Sequence, residues 1–307
     1  MSLKRYAIVA GAISLLIASG GSYALHTMGV RYSDVQRNVR IALGLPKFWQ
    51  TEFNENASHD LKLRCPTNDP IVIVAGGQSN AANAYEPAPA ADHNQQTFMF
   101  FGGNCYKLQS PVLGATGFDD SLWPALGDKL NAKTGRPIIF IAGAVGGSQI
   151  GDWLDGRSRY LSRLANRILL ARMAGLKPDF VLWIQGETDA AVELAPEEYV
   201  REQQALIKKL DATGATDVQT PWVIYRSTHC MHRRSNGPDI DRAVTEYVRQ
   251  AGGRIVLGPD VSSFDDRFRR DGCHLNTRGR DRLVAESIAT LIGSRLIVPS
   301  DMHSSDR

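Results

Sequence analysis

Two residues of this sequence, a serine and a histidine, have the surroundings of a nucleophile and of a proton acceptor. Ser79 follows two glycines directly after the apolar run 71–75, which predicts a nucleophile at the carboxyl end of a buried strand. His274 stands three residues after Asp271, a spacing at which the aspartate can hold the imidazole Nδ1–H and fix its tautomer. Taken separately, the serine also fits a helix cap, and the histidine fits an ordinary loop.

Two further polar segments follow predicted strands. The first contains Gly146 and Gly147, whose backbone N–H groups can face an anion, but it lacks the Gly-x-Gly-x-x-Gly spacing of dinucleotide sites. The second begins with Gln185, whose amide can donate to a developing oxyanion, and continues to Glu187 and Asp189. Since the carboxyl ends of parallel strands meet at one edge of a sheet, both segments are expected to join the serine and the histidine in one site.

Apolar runs alternate with amphipathic segments from Pro70 onward, which predicts strand–helix repeats and a parallel sheet. The predicted strands are nearly continuous in apolar residues, as strands covered on both faces should be; they are 71–75, 137–142, 180–184, 222–225 and 254–257. The predicted helices are 121–133, 157–174, 196–210, 239–251 and 277–292. The segment 81–117 is rich in proline and glycine and is predicted to be a long loop or small insertion over the site.

The four polar segments, taken in order, resemble the SGNH/GDSL hydrolase superfamily, in particular its sialate O-acetylesterase-like and acetyl xylan esterase-like carbohydrate esterases. The resemblance covers about residues 70–295 and rests on Gly77-Gln78-Ser79-Asn80, Val145-Gly146-Gly147-Ser148, Gln185-Gly186-Glu187 and Asp271-x-x-His274. The expected fold class is α/β, a three-layer α/β/α sandwich of SGNH or flavodoxin type around a mostly parallel sheet of five strands.

The resemblance implies a two-step acyl transfer. Ser79 attacks an ester carbonyl while His274, oriented by Asp271, takes its proton. Water then attacks the acetyl-enzyme. This mechanism needs neither a metal nor an organic cofactor. His229 and His232 are interpreted as lining the pocket or as surface residues, because no third metal ligand accompanies them at a suitable spacing.

The resemblance also implies which groups surround the reacting atoms. The backbone N–H groups of Ser79 and of Gly146 or Gly147, with the Gln185 amide, are expected to stabilise the oxyanion. Other residues are expected to support the nucleophile turn or to contact the substrate; they are Gln78, Asn80, Glu187, Asp189 and His229.

The implied function is removal of O-acetyl groups from a carbohydrate through an acetyl-enzyme. Two alternatives are a carbohydrate O-acetyltransferase with the same triad and a non-catalytic carbohydrate-binding domain of the envelope. The formal net charge of +3 gives no reason to expect a nucleic acid as partner. The basic run 267–270 is interpreted as a solvated loop, with binding of an anionic substrate as the alternative.

The N-terminal sequence predicts export to the periplasm or the extracellular space. A basic pair, Lys4 and Arg5, precedes a stretch without Lys, Arg, Asp or Glu that lasts until Arg31. A cleaved signal peptide fits this stretch, and so does an uncleaved anchor over residues 6–28. The predicted organisation is a signal or anchor at 1–30, a juxtamembrane helix and connection at 31–68, an esterase domain at 69–297 and a tail at 298–307.

The four cysteines are Cys65, Cys105, Cys230 and Cys273. They show no Cys-x-x-Cys pairing of the kind that binds zinc. In an exported protein an even count permits disulfides, and Cys65–Cys105 with Cys230–Cys273 is one of the three possible connectivities. Four reduced, buried thiols are the alternative. A disulfide at Cys273 would stiffen the loop of the adjacent histidine.

Overall fold

The computed structural model describes residues 52–87, 96–230 and 235–300. These residues form an eight-stranded sheet in the order β1-β4-β3-β5-β2-β6-β7-β8. The strands are β1 (Lys62–Leu63), β2 (Ile71–Gly77), β3 (Thr97–Phe101), β4 (Asn104–Lys107), β5 (Ile138–Ala142), β6 (Phe180–Gly186), β7 (Trp222–Ser227) and β8 (Ile255–Asp260). Strand β4 is antiparallel to both of its neighbours, and the strands from β3 to β8 in this order are parallel.

Helices cover both faces of the sheet. They are α1 (Trp123–Thr134), α2 (Ile150–Leu154), α3 (Tyr160–Met173), α4 (Glu187–Ala191), α5 (Pro196–Ala212), α6 (Gly237–Ala251) and α7 (Thr277–Gly293). Single 3-10 turns are Ala57–His59, Ser79–Ala81, Val261–Ser263 and Asp266–Phe268. Successive residues of β2 face opposite sides of the sheet. Ile73 packs in the core with α1 and α7, and Val74 packs in the core with α3, α5 and α6. The predicted three-layer α/β/α fold with a mostly parallel sheet is confirmed.

The number of strands is higher than predicted, with eight in the described part of the chain instead of five. All five predicted strands are present within a few residues of their predicted bounds. The segment 81–117, predicted to be a loop, contains the hairpin of β3 and β4. Gly102 and Gly103 form its two-residue turn with φ values of 55° and 82°, a conformation in which glycine is favoured. The remaining strand, β1, has two residues and pairs only with β4 among the described strands.

The predicted signal or anchor at residues 1–30 lies outside the described residues, as do residues 31–51 of the predicted juxtamembrane segment. Where the structure describes the chain, no helix has both the length and the apolar character needed to cross a membrane. The domain bounds 69–297 stay a prediction.

Both disulfides of one predicted connectivity are present, Cys65–Cys105 and Cys230–Cys273. The first joins the segment before β2 to β4, and the second joins the segment after β7 to the loop before α7. Disulfides persist in oxidising environments, so the pair indicates a periplasmic or extracellular protein.

Candidate active site

The predicted site segments meet at the carboxyl ends of neighbouring strands. The direction of the strand order reverses at β2. Strands β3 and β5 lie on one side of β2, and β6, β7 and β8 lie on the other. A crevice opens at such a switch point in α/β sheets. Ser79 follows β2, Gly146 follows β5, and Gln185 lies in the last part of β6.

The turn that carries Ser79 depends on a glycine. Gly77 has a φ of 122°, and a Cβ at this position would lie 1.9 Å from the carbonyl oxygen of Ile184. The chain then turns sharply, with the Gln78 backbone N–H donating to Ile184 O at 2.8 Å. Ser79 opens the 3-10 turn and is 8% exposed. It is therefore the first residue of the turn, rather than the residue before it.

The Gln78 side chain links the turn at Ser79 to the end of β6. Its Oε1 accepts hydrogen bonds from Gln185 Nε2 at 3.2 Å and from the backbone N–H groups of Gly186 and Thr188 at 3.3 and 3.2 Å. Because three donors converge on one buried oxygen, the position of Ser79 is fixed relative to the Gln-Gly-Glu segment.

Gln185 and Gly146, two of the expected oxyanion donors, make hydrogen bonds within the protein. Gln185 Nε2 also donates to Ser148 O at 2.7 Å and to Asp189 Oδ2 at 3.1 Å, so three acceptors share its two hydrogens. The Gly146 N–H donates to Thr116 Oγ1 at 2.7 Å. This arrangement supports a structural role for both residues.

The other two expected oxyanion donors are the backbone N–H groups of Ser79 and Gly147. Neither backbone N–H has an acceptor among the residues that the structure describes. The φ of Gly147 is 69°, in the left-handed region that favours glycine. These two N–H groups are therefore not used by backbone acceptors of the described residues.

Asp271 and His274 lie in contact, as their spacing predicts. Asp271 Oδ2 lies 2.8 Å from His274 Nδ1, and Asp271 Oδ1 accepts the backbone N–H groups of Cys273 and His274 at 3.0 and 2.7 Å. Although partial burial acts to raise it, the pKa of Asp271 is held below its usual value by these hydrogen bonds. The carboxylate therefore stays ionised, and the imidazole Nε2 is left as the basic atom.

The serine and histidine segments touch through their neighbours in the chain. Asn80 Nδ2, one residue after Ser79, lies 3.5 Å from the carbonyl oxygen of Cys273, one residue before His274. Within the described ranges no hydrogen bond joins Ser79 to His274 directly. Catalytic hydrogen bonds are often long without substrate and tighten in the reacting complex.

Two buried carboxyl groups, those of Glu187 and Asp189, accept hydrogen bonds from residues near the site. Glu187 Oε1 accepts from Asn80 Nδ2 at 2.5 Å and from Ser227 Oγ at 2.7 Å. Burial raises the pKa of Glu187, although these hydrogen bonds act in the opposite direction. Asp189 accepts the Ile150 backbone N–H at 2.9 Å, and burial raises its pKa to about 7. Their contacts are with the protein, as expected for residues that hold loops.

The remaining candidate, His229, is half-buried and directly precedes Cys230, whose disulfide reaches Cys273. The histidine therefore lies on a segment that is bonded to the His274 loop. No cluster of three or more His, Cys, Asp or Glu side chains suited to a metal occurs in the described ranges.

The basic run 267–270 is only partly a solvated loop. Arg267 is exposed and pairs with Asp265 at 2.7 Å, as that interpretation requires. Arg269 is 5% exposed and donates to backbone carbonyl oxygens, so for this residue the prediction was wrong. Sequence reasoning missed Arg269 because nothing in the run distinguishes a buried arginine from its exposed neighbours.

The sequence matches a known protein family, and the fold matches solved structures. A model of the family described as carbohydrate esterase, sialic acid-specific acetylesterase, matches residues 71–291. A solved structure of a protein from Arabidopsis thaliana is 17% identical with a TM-score of 0.59, and the match covers 72% of this chain and 97% of that one. The structure of NanS is 15% identical with a TM-score of 0.51, covering 74% and 98%. These likenesses show the fold. No curated protein matches the sequence.

Proposed function

Because the chain belongs to the carbohydrate esterase family of sialic acid-specific acetylesterases, we propose that it hydrolyses O-acetyl groups on a carbohydrate with Ser79 as nucleophile. The observation that carries the proposal is the Asp271–His274 pair at 2.8 Å, on a loop that touches the residue after Ser79. The pair orients an imidazole whose second nitrogen can serve as a base, and the nearby serine supplies a hydroxyl.

In the first step Ser79 Oγ attacks the acetyl carbonyl and His274 Nε2 takes the hydroxyl proton. Asp271 stabilises the imidazolium that forms. The backbone N–H groups of Ser79 and Gly147 hold the oxyanion, and a donor of this kind is worth about 3 kcal/mol in the transition state. The imidazolium then gives its proton to the departing sugar oxygen, which leaves an acetyl ester on Ser79.

In the second step water releases the acetyl group. His274 Nε2 takes a proton from the water, which attacks the ester carbon, and the same backbone N–H groups hold the second oxyanion. Collapse of this intermediate returns the proton to Ser79 and releases acetate. Gln185, Gln78 and Glu187 take no part in the proton transfers and hold the reacting segments in place.

The first test is hydrolysis of a chromogenic acetyl ester by purified protein. Replacing Ser79 or His274 with alanine should lower kcat by about a thousandfold or more, as for other catalytic triads. Ser162→Ala is the matched control, because this exposed serine lies on α3 and donates only to Arg159 O at 3.0 Å among the described residues. Hydrolysis by S79A at the wild-type rate would overturn the proposal.

The second test concerns the substrate. Since the family description names sialic acid, we expect kcat/KM to be higher for O-acetylated sialic acid than for acetylated xylan. The acetyltransferase alternative predicts that an added sugar hydroxyl takes the acetyl group in preference to water. Product analysis with and without such an acceptor distinguishes the two reactions.

A further inference from the structure

Arg269 carries a buried charge inside the loop that ends at His274. Its Nε donates to Phe264 O at 2.9 Å, its Nη2 donates to Val261 O at 2.7 Å, and its Nη1 donates to Cys273 O. All three acceptors are backbone carbonyl oxygens of the segment 261–273. One planar guanidinium therefore cross-links the start and the end of this segment, which an ammonium group could not do with the same geometry.

Burying a charge costs free energy unless other interactions compensate for it. No carboxylate of the described residues forms an ion pair with Arg269, whereas Arg267 pairs with Asp265 and Arg270 with Asp119. Burial lowers the pKa of Arg269, and the charge of Glu187 opposes that effect. The guanidinium remains charged, and its hydrogen bonds satisfy carbonyl groups that burial would otherwise leave unpaired.

The carbonyl oxygen of Cys273 is the point where two parts of the site meet. It accepts from Arg269 Nη1 on one side and lies 3.5 Å from Asn80 Nδ2 on the other. Cys273 immediately precedes His274, and Asn80 immediately follows Ser79. A displacement of this oxygen therefore changes the position of the histidine relative to the serine.

We propose that Arg269 is a positioning residue that sets His274 against Ser79 through the Cys273 carbonyl group. This inference rests on the proposed function, since it assigns those two side chains to the reaction. Arg269 does not bind the substrate, because its side chain is buried and each of its three nitrogens donates to a backbone carbonyl oxygen. Misplacement of a catalytic group by about 1 Å can cost about a hundredfold in rate, so loss of this clamp should lower kcat more than it raises KM.

The test compares Arg269→Lys and Arg269→Ala with Arg267→Lys, a matched control from the exposed part of the same run. Two quantities are measured, the kcat and KM for a chromogenic acetyl ester and the rate at which a fluorophosphonate labels Ser79. We expect R269K to lower kcat about 10- to 100-fold with KM changed less than about twofold, and to slow labelling in parallel. R267K should match the wild type in both.

Chemical rescue separates positioning from a general loss of folding. Guanidinium ion, added well below its denaturing range, should restore part of the kcat of R269A and leave R267K unchanged. A wild-type kcat in R269K, or a low kcat with an unchanged labelling rate, would overturn the role of Arg269. Failure of the wild-type protein itself to hydrolyse the ester and to be labelled at Ser79 would instead refute the proposed function.

Discussion

The three carboxyl groups at the site, those of Asp271, Glu187 and Asp189, have different environments and therefore different pKa shifts. Asp271 is partly exposed and hydrogen-bonded to an imidazole and to two backbone N–H groups, which hold its pKa below the usual value despite the opposing effect of burial. Glu187 and Asp189 are buried, and burial raises the pKa of each. Only Asp271 thus combines a stable negative charge with contact to His274, as stabilisation of an imidazolium requires.

The raised pKa of Asp189 predicts a pH-dependent contribution to folding. Burial raises its pKa from the ordinary 3.8 to about 7, so the folded chain keeps a proton that the unfolded chain has lost. Its contribution to stability is therefore fully present below about pH 4 and is lost as the pH rises through about 7. Relative to Asp189→Asn, the wild type should lose up to about 1.4 kcal/mol of unfolding free energy per pH unit in this window.

Urea unfolding of both proteins across this pH range measures the difference. Asp281→Asn on α7 is the control, because this exposed carboxylate pairs only with Arg280 among the described residues and should give a curve parallel to the wild type. Parallel curves for the wild type and D189N would show that Asp189 is ionised in the folded protein throughout.

At the scale of elements, the site is built from loops that disulfides and hydrogen bonds hold to the sheet. The Cys230–Cys273 bond and the Asn80–Cys273 contact attach the His274 loop to the segments after β7 and β2. The Cys65–Cys105 bond lies away from these loops, at β4 near the edge of the sheet. The two bonds close loops of similar length, with sequence separations of 40 and 43 residues.

The two disulfides should therefore affect stability similarly and activity differently. In the chain-entropy description each stabilises the fold by about 4 kcal/mol. We expect C65S/C105S and C230S/C273S to lower the free energy of unfolding by comparable amounts, while only C230S/C273S lowers kcat under conditions in which both are folded. Denaturant unfolding and steady-state kinetics on the same preparations check this, and an equal effect on kcat would contradict it.

The sequence predicts those elements and residues whose signals are local. Four of the five predicted strands are identifiable because burial on both faces makes them continuous apolar runs. The fifth, β8, lies at the edge of the sheet and is only partly buried. The hairpin of β3 and β4 was missed because the prolines and glycines around it indicate a loop, although Gly102 and Gly103 are a hairpin signal. The contact between Asp271 and His274 is predictable from their spacing. The burial of Arg269 is not, since its acceptors are backbone carbonyl oxygens that carry no residue-type signal.

At the scale of the whole molecule, strand order brings together residues that are far apart in the sequence. Ser79, Gly147 and Gln185 come from segments after or within β2, β5 and β6, and His274 comes from the loop before α7. The Gln185–Ser148 and Gln78–Gln185 hydrogen bonds then join the segments of β2, β5 and β6. The proposed active site is thus a product of the folded sheet, and its central claim is that Ser79 carries the acetyl group during turnover.

Mass spectrometry of the acid-quenched enzyme tests that claim most directly, because it detects an acetyl group on the peptide that contains Ser79. The enzyme is mixed with a fast acetyl ester, quenched within the first turnovers, digested and compared with S79A treated in the same way. We predict one acetyl group on the peptide that contains Ser79, and its absence from S79A, which should not turn over. Steady hydrolysis with no acetylated peptide in the wild type, and at an equal rate in S79A, would contradict the account.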